Sequence, residues 1–514
     1  MTAMAQFVPE PTASSRGRRQ LEQRTRVAMT RLRSTMFRQR ACTLLLCTAT
    51  LLLGACSTVR PWINQPIAAA SPVPAMPMMV PVVDAREPAA SIVAAVTLSG
   101  GGARAAAFGL GVLEELKATQ FELDGRPTTL LDEVGLVSGV SGGSILAGYY
   151  AAFGDEVFTR FEREFLLVNF QSRLIRDLLL TPRTVHRLSS PWYGRSNALA
   201  RQLDTVFRGK TFGDLRAQHS RRHLLVTATD LTTGAPFEFT PEQFALICSD
   251  LDSVPLSFAV AASSSVPLLL SPMTIRNHAG SCQPPAPLDA EQPADPNLSA
   301  RLLQLIAGSY RDAEERPYIH LVDGGLVDNL GVRSLLDRAV AAGSLSAILG
   351  GRPPGSVRKI VLISVNSERD TTDRIDKSDR VPSTSQVLDS LVFGAGSRLT
   401  TETTAMMKDV ARRLSGELQA ARSLPGSPFA ADAEIHVINL SLHDLHDTSL
   451  RHAVLRVPTA LTILPGQVRE LRAAGRKAVR ESAAFQRLRR SLDEHAGLMA
   501  LETTFEHAAQ RSTP

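Results

Sequence analysis

Aromatic residues are scarce in this 514-residue sequence, at 5%, and only two tryptophans occur. That excludes an interior built mainly on rings. The core must rest on Leu, Val, Ile and Ala, and a hydrophobic share of 44% is ample for a large one. Charged residues are also few, at 21%. No internal repeat is present, which excludes a solenoid or an array. A membrane-spanning helix needs about 20 apolar residues, and the uncharged run Ala41–Ala55 (ACTLLLCTATLLLGA) stops short of that.

The net charge of +6 raises nucleic acid as a partner. Residues 1–40, however, hold nine arginines against two acids, Glu10 and Glu22, and residues 41–55 hold no charge. Taking that local +7 from +6 leaves −1 for the chain from Cys56 onward. The excess lies on a segment expected to be removed, so nucleic acid is not an expected partner.

Behind Arg38 and Arg40, the run Ala41–Ala55 has the order of an export signal, a basic region followed by an apolar one. It ends Leu53-Gly54-Ala55-Cys56-Ser57, which resembles the bacterial lipobox. The resemblance implies cleavage before Cys56, acylation of Cys56 and a membrane anchored through that lipid. Ser57, in place of an aspartate, implies the outer membrane of a Gram-negative cell. An ordinary signal peptide with a chance cysteine is the alternative. The 35 residues before Met36 do not resemble a signal, leaving Met29 and Met36 as alternative starts. With Cys56 lipidated, Cys248 and Cys282 remain as candidates for a disulfide in an oxidising compartment, two buried thiols being the alternative.

Four segments follow: an extension with signal (1–55), a Pro/Ala-rich tether (56–90), a catalytic domain (91–370) and a mostly helical extension packed on the core (371–514). Proline at Pro61, Pro66, Pro72, Pro74, Pro77 and Pro81 resists helix and sheet in the tether. Ile92–Leu98 is a continuous apolar run, the mark of a buried parallel strand. Strands are also expected at Val134–Val140, His223–Thr229, Tyr318–Val322 and Lys359–Val365, with a further one at Glu434–Leu440. Helical patterns run over 103–119, 380–425 and 464–510, and the Pro/Asp-rich stretch 283–297 reads as a surface insertion. Alternation of strand and helix predicts an α/β fold with a mainly parallel sheet.

Three motifs carry chemistry. Gly139-Val140-Ser141-Gly142-Gly143 is a G-x-S-x-G between a strand and a helix, the setting of a nucleophile elbow. By composition alone the pentapeptide would arise in about one such chain in ten, so its setting carries the inference. Ser141 would head a helix whose dipole favours an alkoxide. Gly100-Gly101-Gly102-Ala103-Arg104 also lies between strand and helix, and its freed N–H groups suit an anion. Arg104 would brace that loop or meet a phosphate. Asp323-Gly324-Gly325 follows a strand end, where α/β folds put functional groups. Gly100-x-Gly102-x-x-Ala105, with Glu122 or Asp124 further on, also fits a dinucleotide fingerprint, but that reading leaves Ser141 unexplained.

In this order the motifs resemble the patatin-like phospholipases, whose pattern is a G-G-G-x-[KR] loop, a G-x-S-x-G serine and a D-G-[GA] aspartate. Ala261-Ala262-Ser263-Ser264-Ser265-Val266-Pro267 resembles the family's A-S-x-x-x-P stretch. The likeness covers residues 91–370 and departs at Ser99, where plant patatins carry an aspartate. It implies a three-layer α/β fold with a mainly parallel sheet flanked by helices, and hydrolysis of lipid acyl esters, plausibly phospholipids. Ser141 and Asp323 would form a dyad, Gly100, Gly101 and Gly102 an oxyanion hole, and no cofactor or metal would be needed. Two alternatives stay open. A Ser-Asp-His hydrolase would draw on His436, His443, His446 or His452. A lipid-binding lipoprotein would use the scaffold without catalysis.

Overall fold

The computed structural model describes residues 58–67 and 91–494, except 124, 219–221, 283–296, 350–351, 370–377, 384–385, 388–389 and 391–394. The signal run, Cys56, residues 68–90 of the tether, nearly all of the Pro/Asp-rich insertion and residues 495–514 lie outside them.

β1 (Ile92–Leu98) is the apolar run, and it feeds through the glycines into α1 (Gly102–Ala118). A hairpin of β2 (Gln120–Leu123) and β3 (Arg126–Thr129) stands apart from the main sheet. β4 (Val134–Gly139) leads into α2 (Gly142–Phe153), and then α3 (Phe170–Leu180), α4 (Pro182–Leu188) and α5 (Arg195–Phe207) follow. Next come β5 (His223–Asp230), β6 (Pro236–Glu238), α6 (Leu256–Ser263), β7 (Met273–Arg276) and β8 (Tyr318–Val322). The chain closes with α7 (Arg333–Ala341), β9 (Val357–Asn366), α8 (Ala395–Ala421), β10 (Phe429–Ser441) and α9 (Pro465–Glu481).

The sheet runs β10-β9-β1-β4-β5-β8-β7, with β6 paired to β5. It is parallel from β10 through β5 and antiparallel beyond. The expected mainly parallel α/β sheet flanked by helices is therefore present. Continuous apolar strands follow from cover on both faces. Val96, Val226 and Ile363 are fully buried in the middle of their strands.

The strand expected at Tyr318–Val322 is present as β8, and the sequence pattern gave it no direction. It runs antiparallel to β5. Register supplies the reason. β4 pairs with β5 only as far as Gly139 opposite Val226, so Thr227–Asp230 overhang the parallel edge. β8 folds back along that overhang, Val322 opposite Thr229, and so ends near the tip of β4.

One continuous core surrounds α1, α2 and α6, with Phe108, Leu110, Tyr149 and Val260 at its centre. Each such large apolar side chain contributes about 1.5–3 kcal/mol on leaving water. α9 packs closely on α1, where Gly475 meets the backbone at Phe108, and Glu114 pairs with Arg472 and Arg476. The segment after residue 370 thus supplies the sheet's edge strand β10 and a helix of the main core. Among the described residues, no helix is long and apolar enough to cross a membrane.

Candidate active site

The glycine loop and the Ser141 elbow emerge from neighbouring parallel strands that end level with each other, Leu98 opposite Gly139. Ser141 takes φ 50° and ψ −123°, a region that residues with a side chain rarely adopt. Such strain persists only where the surroundings hold it, and it is characteristic of reactive positions. Here its N–H donates to Ser263 Oγ at 2.8 Å, and Ser263 Oγ donates to Thr227 O at 2.6 Å. The turn also needs a bare residue at Gly142, where a Cβ would lie 2.1 Å from Gly102 O. Elbow and glycine loop therefore touch backbone to backbone. Gly139 and Gly143 are likewise closed in, against Ser144 Cα and the carbonyls of Leu98 and Ser99.

Ser141 Oγ donates to Asp323 Oδ2 at 2.9 Å. The other carboxylate oxygen, Oδ1, accepts from Gly325 N–H at 2.8 Å. Asp323 is only 7% exposed. Its own backbone is fixed by N–H to Ser265 O, 3.0 Å, and by Thr229 Oγ1 donating to its carbonyl, 2.8 Å. Burial raises its pKa from 3.8 to about 6, against the opposing hydrogen bonds from Gly325 and Ser141. A half-buried hydroxyl is thus held against a carboxylate poised near neutral pH. Gly324 lies flat on Thr227 O, which brings the Asp323 turn down onto the β5 overhang.

The glycine loop differs in detail from the expected donor set. Gly100 N–H donates to Asn329 O at 2.9 Å, so Gly100 is not available as an oxyanion donor. Gly101 and Gly102 have positive φ, 139° and 62°, and their N–H groups have no acceptor among the described residues. Arg104 braces the loop. It is 3% exposed and donates to Ser367 O, Val457 O and Thr459 Oγ1 at 2.9, 2.9 and 3.0 Å. Ala103 N–H donates to Ala460 O at 2.8 Å, so the far C-terminal segment walls this loop.

Among the described residues, no hydrogen bond joins Ser141 or Asp323 to a histidine. His436 lies on β10 against Glu434 Oε2 at 3.0 Å, and His446 is exposed beside Glu481. Of the two acids in the dinucleotide alternative, Glu122 sits on the β2–β3 hairpin, apart from the main sheet, and Asp124 is outside the described residues. Cys248 and Cys282 form a disulfide, with Cα atoms 5.6 Å apart. A cavity of about 210 Å3 between the sheet and α8 is lined at the opposite end of the strands, by Val93, Gly135, Ile360 and Met407, and takes no part in the site.

Residues 96–336 match the family model of the patatin-like phospholipases. That segment is similar to the patatin-like phospholipases. All three motifs fall within the matched segment, including Ser141 and Asp323. No curated protein matches the chain. Among solved structures, human GIVD cytosolic phospholipase A2 is similar at 14% identity and TM-score 0.41, over 79% of this chain and 63% of that one. The same human protein in complex with methyl gamma-linolenyl fluorophosphonate is similar at 12% identity and TM-score 0.36, over 80% and 60%. The chain thus spans under two thirds of the length of these structures.

Sequence reasoning missed several contributors to the site. Ser263 lies in a quoted motif, but nothing in the motif says that its hydroxyl receives the Ser141 N–H. Asn329 gave no signal. Its Oδ1 sits 2.5 Å from where a Cβ on Gly100 would be and 3.2 Å from that on Gly325, between the two loops. Val457, Thr459 and Ala460 lie some 350 positions beyond Arg104, as its hydrogen bonds record, and no local pattern could announce them.

Proposed function

We propose that the protein is a serine acyl hydrolase that cleaves acyl esters of lipids, phospholipids among them, through Ser141 and Asp323. The observation that carries this reading is the Ser141 Oγ–Asp323 Oδ2 hydrogen bond to a buried carboxylate with its pKa near 6. Ser141 Oγ attacks the ester carbonyl carbon while its proton passes to Asp323 Oδ2. The C=O electron pair moves onto oxygen, where the free N–H groups of Gly101 and Gly102 and the α2 N-terminus stabilise the charge. Collapse breaks the acyl–oxygen bond, and the leaving alcohol takes the proton from Asp323. Water then attacks the acyl-enzyme, gives its proton to Asp323, and the fatty acid leaves as Ser141 Oγ is reprotonated. Among the described residues, a second hydrolase type with a histidine has no contact to Ser141 or Asp323 in its favour.

Export and lipid anchoring at Cys56 belong to the same proposal. The Cys248–Cys282 disulfide supports an oxidising compartment.

Turnover of a short-chain p-nitrophenyl ester with chelator present tests the mechanism. Ser141→Ala is expected to lower kcat/KM by about 10^4-fold or more, and wild-type turnover in that variant would reject it. For the anchor, Cys56→Ser is expected to abolish metabolic labelling by palmitate, and persistent labelling would reject the lipobox.

A further inference from the structure

Several segments linked to the walls of the Ser141 site turn apolar side chains to solvent. Leu179 and Leu180, at the junction of α3 and α4, are 70% and 73% exposed. Trp192 is exposed, as are Leu268, Leu269 and Leu464. Single exposed hydrophobics are ordinary on a protein surface, but these share one side. Gln171 N–H, at the start of α3, donates to Thr462 Oγ1 at 3.0 Å, and Ala460 two residues earlier receives the Ala103 N–H. Arg195, just beyond Trp192, donates to Leu268 O at 2.8 Å. Leu268 follows Ser265, whose carbonyl receives the Asp323 N–H. The α3–α4 hairpin, the 265–271 loop and the 457–464 loop are therefore tied to each other and to the walls of the site.

Charge decides what such a surface meets. From Leu167 to Arg195 the chain holds five arginines and one acid, Asp177. Asp177 is consumed within the fold, accepting from Arg201 Nη2 at 3.0 Å and Thr184 Oγ1 at 2.9 Å. Arg173, Arg176 and Arg183 are exposed and make no ion pair among the described residues. A second copy seated on this face would set arginines against arginines across a two-fold axis. A sheet of phosphate-bearing headgroups would receive the arginines while the leucines enter the acyl boundary, and Trp192 suits that boundary.

The N-terminal segment converges on the same place. Val59 O accepts from Ser190 Oγ at 2.7 Å, and the Arg60 guanidinium stacks 3.4 Å from the Trp192 ring centre. Asn64 is buried and exchanges hydrogen bonds with the Arg276 backbone at 2.7 and 2.8 Å. Val59 and Arg60 are thus fastened beside the hairpin, and Asn64 is held at β7.

We propose that the α3–α4 hairpin, with Leu179 and Leu180 at its tip and Trp192, Leu268 and Leu269 beside it, docks on anionic phospholipid bilayers and faces the Ser141 site to the membrane. This extends the hydrolase reading by naming how the site meets an aggregated lipid substrate.

The test uses the mature chain, residues 56–514, with Cys56→Ser, so that neither an acyl anchor nor the arginine-rich, apolar segment 1–55 contributes, and with Ser141→Ala, so that lipid is not consumed. Sedimentation is measured with vesicles of phosphatidylcholine alone and with one quarter phosphatidylglycerol. Binding to the anionic vesicles is expected, weakening as salt is raised. Leu179→Asp with Leu180→Asp is expected to lower the partition coefficient about tenfold or more. Arg176→Glu with Arg183→Glu is expected to remove the preference for phosphatidylglycerol, again by about tenfold. All four side chains are exposed, so the fold is expected to survive, checked by an unchanged melting temperature. No binding by the parent protein, or undiminished binding by the leucine variant, overturns the proposal. So does a dimer in light scattering that Leu179→Asp dissociates while vesicle binding persists. Binding is read without turnover, so its failure leaves the hydrolase reading standing, and the converse holds as well.

Discussion

Asp323→Asn separates the energetic cost of the site from its chemistry. The carboxylate is buried, and its pKa rises from 3.8 to about 6 on folding. A shift of that size corresponds to about 3 kcal/mol by which the fold disfavours the ionised form. The sign follows from linkage. A carboxyl group with a raised pKa in the folded state binds protons more readily folded than unfolded. Stability from it is intact below the unfolded value and is lost as pH rises through about 6. Asparagine is uncharged at every pH. Its Oδ1 can still accept from Gly325 N–H, and its Nδ2 can donate to Ser141 Oγ, so both contacts persist with one reversed. Urea unfolding is therefore expected to find Asp323→Asn more stable than wild type by about 3 kcal/mol at pH 8 and by less than about 1 kcal/mol at pH 4. Over the same comparison kcat/KM is expected to fall by about 10^2–10^4-fold, the share of a general base. In the wild-type protein the acid limb of kcat/KM should have its midpoint near 6, the value for Asp323. A variant less stable than wild type at pH 8, or a stability gain that does not shrink towards pH 4, would refute the reasoning.

Two further outcomes rest on single features. Ser141→Ala and Ser141→Gly remove the same hydroxyl, but only glycine is at ease with φ 50°. Chemical denaturation is expected to find Ser141→Gly more stable than Ser141→Ala by about 1 kcal/mol, with both inactive, and equal stabilities would mean the elbow is unstrained. The Cys248–Cys282 bridge closes a sequence separation of 34 residues. Replacing both cysteines by serine is expected to cost roughly 4 kcal/mol in urea unfolding, and a loss under about 1 kcal/mol would mean the loop is restrained without the bridge.

Much of the fold was legible because its strands carry their own signature. Ile92–Leu98, His223–Asp230 and Val357–Asn366 are apolar runs that burial on both faces requires. The small strands β2, β3, β6 and β7 were not read. Each has three or four residues, too few for periodicity to rise above background. The direction of β8 was not legible either. Tyr318–Val322 reads alike in a parallel or an antiparallel sheet, and only the Thr227–Asp230 overhang makes it turn back. The same difference appears within the glycine loop. Three glycines in a row announce exposed N–H groups, but that Gly100 spends its own on Asn329 depends on a residue 229 positions away.

By itself the sequence determined the local pieces: buried strands, a serine on a tight strand-to-helix turn, a glycine run at a helix start and an Asp-Gly-Gly after a strand. Those features depend on side-chain size and backbone freedom over a few residues. Tertiary structure alone decided that Asp323 Oδ2 lies 2.9 Å from Ser141 Oγ. It also decided that Ser263 pins the elbow and that Arg104 is held by residues from the far end of the chain. Burial of Asp323 is likewise a property of the packed whole, and it is burial that raises the carboxyl group to about 6, where it can accept a proton.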